Sequence, residues 1–210
     1  MESILNITNL KSLLTFFHLA GLAVGVGGAW MLDVFIIKNM NITLSKDKYY
    51  IFEFISKFVF IGLVVLWFSG LAFIAYYYVY TPELLLNEKT WGKVFIVVVL
   101  SFNGLFIHKI MLKRIKESIG SSLLNHLGDR EIRLMSMVGA VSVVSWLFPL
   151  ILGVSETLNF KISAIYIIYY YLVVVVFSSI VAVLISTHFI KSKKQEARSK
   201  KQEARNLTKK

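Results

Sequence analysis

The stretch from Ile162 to Ile190 reads ISAIYIIYYYLVVVVFSSIVAVLISTHFI, 29 residues without an Asp, Glu, Lys or Arg. A hydrocarbon core of about 30 Å takes roughly 20 apolar residues as helix, and in lipid only helices or closed barrels satisfy their own backbone groups. The run therefore reads as a membrane span, long enough that it must tilt or protrude. Four similar runs precede it, at about 13–37, 58–80, 93–108 and 134–154. The third is the shortest and reaches spanning length only if Lys93 snorkels and His108 lies inside. The sequence thus predicts an all-α integral membrane bundle of five transmembrane helices over residues 1–190, followed by a basic tail, 191–210.

Composition agrees. With 57% hydrophobic residues in 210, too much of the surface is apolar for water, and membrane lipids must cover it. The net charge of +11 comes from short basic stretches between apolar runs, not from a surface interleaved with base-stacking aromatics, so nucleic acid is not an expected partner. There is no cysteine, which excludes disulfides, thiolate metal sites and covalently attached c-type haem. The first apolar run is far longer than a signal-peptide core of about 7–15 residues and reads as a span. No nucleotide-binding loop, nucleophilic triad or zinc motif is present.

The basic residues also orient the spans. Nineteen of the 23 Lys and Arg fall in the first loop, the third loop and the tail. The other four are Lys11, Lys89, Lys93 and Lys161. By the positive-inside rule the amino terminus lies outside and the tail in the cytoplasm. The tail repeats itself: Ser192–Arg198 and Ser199–Arg205 both read SKKQEAR. With Ala as its one apolar member the repeat offers no coiled-coil seam. It reads as a solvated helical extension or a disordered tail, with anionic lipid heads as a possible contact.

Ionisable groups within a span are costly and mark candidate sites. His18 lies about 10 Å below the outer boundary, at 1.5 Å per residue from Lys11. Gly21, Gly25 and Gly28 or Ala29 share its helix face. Two readings stand open for this face. One is close helix packing through Gly21-x-x-x-Gly25, with His18 hydrogen-bonded to a neighbouring helix or the stripe docking a second chain. The other is a planar cofactor, haem b, with His18 as axial ligand to the iron and Lys93 near a propionate. Asp33, His108 and His188 all fall close to the inner boundary and could form one layer. That layer would be a weaker second metal site, of a kind suiting a transition metal, or an ion-pair layer in which Asp33 meets Lys109 or Arg133. His18 and this layer lie roughly 15 Å or more apart, so His18 and His108 are not expected to share an iron. Pro149 should kink the fourth helix.

The first span, His18-Leu-Ala-Gly-Leu-Ala-Val-Gly-Val-Gly-Gly-Ala29 with Asp33 following, and the third, Lys93 through Asn103-Gly104 to His108, resemble a group of small bacterial multi-pass membrane proteins. More distantly they look like the haem-associated membrane protoporphyrinogen oxidase and the copper-resistance D family. The resemblance covers the first three spans. It implies a bacterial cytoplasmic membrane location, an intramembrane His at His18, and a functional Lys at Lys93. It also implies a haem b protein with a redox or tetrapyrrole-related role and a membrane redox partner. The oxidase's Arg and Trp context in the first span is not reproduced. A metal-ion or small-solute permease using Asp33, His108 and His188, and a structural subunit forming homo-oligomers through the glycine face, are the other functions the residues allow.

Overall fold

A computed structural model describes residues 2–207. Helix α1 (Glu2–Asn39) leads through a loop into α2 (Lys46–Tyr80), whose first turn is capped by Ser45 accepting from the Lys48 N–H. A short 3-10 turn joins α2 to α3 (Glu88–Phe106), which runs on through a π turn (Ile107–Met111) into α4 (Leu112–Glu117). After the one-turn α5 (Leu123–His126) come α6 (Asp129–Val154) and α7 (Ala164–Leu207). Among the described residues the fold is all-α. Five helices are long and apolar enough to cross a membrane: α1, α2, α3 with its continuation, α6 and α7.

Several helices extend past the apolar runs that announce them. The third span, expected as the shortest, begins at Glu88 and continues to Glu117, because the basic residues after His108 carry on as helix. The fifth span does not stop at Ile190. The repeat of the tail continues α7 as helix to Leu207, and 44 residues at 1.5 Å each give about 66 Å, roughly twice the hydrocarbon thickness. Residues 208–210 of the expected tail lie outside the described part. Helix α6 continues past Pro149 to Val154; a membrane helix tolerates proline where neighbours re-satisfy the freed carbonyl.

Successive spans run in opposite directions, so the bundle has a far end, where α1 starts, and a tail end. At the far end the start of α3 holds the α6–α7 connection. Glu88 accepts from Ser163 Oγ and the Ala164 N–H, each at 2.8 Å, placing a carboxylate on the first turn of α7. Asn87 Oδ1 accepts from the Phe160 N–H, and Lys89 Nζ donates to the carbonyl of Ser155 just past the end of α6. At the tail end Leu44 pairs through its backbone with Ser121 and Gly120 and is buried with Phe52, Ile115, Leu123 and Ile132.

The closest helix approach is between α1 and α2. Lipid removes most of the hydrophobic drive between helices, so small residues that let backbones meet become decisive. A Cβ on Gly62 would lie 2.6 Å from the nitrogen and 2.7 Å from the Cα of Gly25, so the two glycines meet backbone to backbone. A Cβ on Gly21 would meet Val65 and the backbone of Gly62 and Leu66. Trp146 of α6, 2% exposed, rests on Gly25. The Gly62→Ala variant should therefore lose about 1–3 kcal/mol, the usual scale for overpacking. Gly27→Ala, where a Cβ meets open space, should be neutral or slightly stabilising. Thermal melts of the two variants in one detergent check the contrast.

Candidate functional site

His18 is half-buried on α1 and faces α2. Its Nδ1 lies 2.9 Å from Ser69 Oγ, and its ring stands edge-on to Phe73 at 5.6 Å. The Ser69 hydroxyl donates to the Val65 carbonyl at 2.7 Å. The contact with Ser69 engages Nδ1 of His18, and no hydrogen bond among the described residues engages Nε2. Lys93, on α3, is near enough to act on His18 electrostatically, and it makes neither a hydrogen bond nor an ion pair among the described residues. No hydrogen bond joins His18 to Lys93 among the described residues. The flat face expected beside the imidazole is another matter: α2 covers Gly21, and the Trp146 ring with Gly62 covers Gly25. The hydrogen-bonded, close-packed arrangement of this face is the one the structure contains, and its partner helix belongs to the same chain.

The expected layer of Asp33, His108 and His188 holds only in part. His108 falls in the π turn and stacks beside Phe60 at 6.3 Å; it is exposed overall, yet it lines one cavity together with Asp33. His188 is exposed on α7 and lines no cavity with them. Among the described residues no three His, Asp or Glu side chains gather as a metal site would require. The alternative ion pair is not made either: the described salt bridges are Lys57–Glu53, Arg114–Glu117 and Arg114–Glu131.

Asp33 Oδ2 is buried and has no hydrogen-bond partner among the described residues. Its environment explains how. On α6, Gly139 faces the carboxylate, and a Cβ there would sit 3.8 Å from Asp33 Oδ1. With no side chain at that position, a cavity of about 560 Å³ opens between α1, α6 and α7 on the tail side of Asp33. Its walls are apolar apart from Asp33, Asn41, Ser136 and Ser186, and those two serines already donate to carbonyls of their own helices. A second cavity of about 220 Å³ lies toward α2 and α3, lined by Ser101, Ser142, Trp67 and Trp146 among others. Asp33 borders both. The larger falls within the size range of small-molecule sites, roughly 300–1,000 Å³, and has their character: apolar walls and a few placed polar groups.

A carboxylate in such a place can do two things: hold a proton, or meet a positive charge carried by a ligand. Sequence reasoning singled out Asp33 but assigned it protein partners it does not have. Gly139 was visible only as a small packing residue, and nothing local in the sequence says that it stands opposite Asp33. No family model matches the chain, and no characterised protein or solved structure is significantly similar to it.

A buried polar group without a partner costs stability, about 1–3 kcal/mol and more if charged. Asp33→Leu removes that cost and places apolar atoms in the cavity. The ligand-free variant should melt at a higher temperature than the parent protein, measured by differential scanning fluorimetry in detergent.

Proposed function

We propose that this chain is a small-solute permease of a bacterial cytoplasmic membrane, and that it takes a solute bearing a positive charge into the cavity beside Asp33. The observation that carries this reading is the buried Asp33 Oδ2, without a partner among the described residues and bordering both cavities. Intramembrane ionisable residues are rare and usually line a substrate or proton path. The basic first loop, third loop and tail support an orientation with the tail end in the cytoplasm, so the larger cavity sits in the inner half of the bilayer. The smaller cavity adds the polar groups Ser101, Ser142 and Trp67 Nε1 and one further titratable side chain, His108. An organic cation suits this lining better than a bare metal ion, because apolar walls replace the several oxygens that a hard cation needs.

A second reading, haem b held by His18, is favoured by one observation: the contact with Ser69 orients the ring through Nδ1 and leaves Nε2 without a hydrogen bond among the described residues, as an axial ligand would need. The ring would have to lie somewhere other than on Gly21 and Gly25. An absorption spectrum of membrane-extracted protein, produced with added haem, tests this reading: a Soret band lost in His18→Ala supports it, and a blank spectrum removes it.

For the leading reading, a panel of organic ammonium ions, carboxylates and neutral amides is offered to the purified protein. Ammonium ions should raise the melting midpoint while carboxylates and amides do not. Asp33→Asn should weaken ammonium binding at least tenfold, and Gly139→Leu, which fills the cavity without touching the charge, should weaken it comparably. Binding of ammonium ions that is unchanged in Asp33→Asn would falsify the assignment.

A further inference from the structure

We infer that the ligand of this cavity is an amphiphile, an apolar chain ending in a protonated amine, which reaches Asp33 sideways from the lipid through the gap between α1 and α7. The inference rests on the reading of Asp33 as the counter-charge of the solute.

The way the cavity is closed points to this route. Toward the far end Trp146 and Leu100, 2% and 3% exposed, pack with Ala29, Leu63 and Leu66 in one buried apolar cluster. Toward the tail end the floor is the cap in which Leu44 pairs with Ser121 and Gly120. Ile115, Leu123 and Leu127 of that cap are 1%, 3% and 6% exposed. The side is different. Helix α1 packs chiefly on α2, and α7 chiefly on α6, while α1 and α7 make no comparable contact with each other. The cavity lies in that gap with α6 as its back wall. Of its lining residues Ile37 on α1 and Ile185 on α7 are 69% and 65% exposed, so the cavity meets the outer surface of the bundle there; Asn41, just past α1, is exposed at the tail-end edge of the same opening. Ile185 precedes Lys191 by six residues, about 9 Å of helix, which puts this rim within the hydrocarbon of the leaflet that the tail adjoins.

A solute that arrives by that path must dissolve in lipid, so a small hydrated cation is excluded from it. The walls set the other half of the ligand. They are apolar over nearly their whole extent, and Asp33 is the one charged group among them. An alkylammonium ion satisfies both: its head pairs with Asp33 while its chain lies along the Ile, Leu and Met walls or trails out past Ile37 and Ile185.

The test uses the full chain in lipid nanodiscs, with empty nanodiscs subtracted, and two probes, dodecylammonium and tetramethylammonium. Dodecylammonium should bind saturably, with affinity at least tenfold lower in Asp33→Asn, and tetramethylammonium should not bind at millimolar concentration. Association rates of dodecylammonium are then compared in Ile185→Trp, which narrows the gap, and Ile185→Ala, which widens it. The first should be slowed by roughly tenfold and the second unchanged or faster. Since Ile185 is exposed, neither substitution removes a buried contact of the fold. Tetramethylammonium binding that depends on Asp33 would overturn the lipid-side route while leaving the permease reading intact. So would equal association rates in both Ile185 variants. If neither cation binds in an Asp33-dependent way, the permease reading itself falls.

Discussion

The backbone contact between Gly25 of α1 and Gly62 of α2 is the constraint from which the rest of the arrangement follows. In a bilayer, apolar side chains gain little by leaving lipid for one another, and helices are held by packing and by hydrogen bonds. Two glycines meeting face to face allow an approach that no side chain at either position would permit. That approach gives Trp146 a seat against Gly25 and fixes α6 against α1. It also aligns His18 with Ser69, so that the one deep histidine of the first span is satisfied by a neighbour instead of facing lipid.

The same register creates the cavity. Helices α1 and α6 run antiparallel, and their contacts repeat at two-turn intervals. Trp146 stands opposite Gly25, and seven residues earlier on α6 Gly139 stands opposite Asp33, eight residues later on α1. The large-on-small pairing of the first level becomes small-on-acid at the second. Where an indole fills the first level, the second has nothing to fill it, and the carboxylate faces that space. The hole and the unpaired charge are thus one feature, a change of residue size at one position of a repeating contact.

Much of this was legible from the sequence, and the limits have physical causes. The five spans follow from apolar runs that no soluble helix would carry, and the close packing of the first helix follows from glycines four apart. The contact between His18 and a neighbouring helix was legible as well, since a lone imidazole at that depth has to find a partner. The grouping of Asp33, His108 and His188 was legible only in part: Asp33 and His108 line one cavity, and His188 lies apart. Their common depth is a property of one dimension, whereas their directions depend on how each helix is rotated, which tertiary packing decides. His108 also sits in a π turn, which shifts side-chain directions by an increment that no 3.6-residue periodicity anticipates. Lys89 was legible as a charge near the outer boundary. Its burial at 4% exposure, with Nζ on the Ser155 carbonyl, depends on a loop some 66 residues away.

The polar groups of the bundle divide by whether they are satisfied, and the division tracks position. At the far end Asn87, Glu88 and Lys89 each have partners across the α6–α7 connection, and deeper down Tyr171 meets Ser145 at 2.8 Å. These groups do structural work, and replacing them would cost stability without changing what the protein can bind. Two buried side-chain atoms among the described residues lack partners, Thr81 Oγ1 and Asp33 Oδ2. The first is a neutral hydroxyl at a helix end, a small cost. The second is a carboxylate at the edge of the larger of the two cavities, where a single substitution of Gly139 by a larger residue would have closed the space. Lys93, half-buried, likewise makes no hydrogen bond or ion pair among the described residues, so what sets Asp33 apart is the space that Gly139 leaves beside its carboxylate.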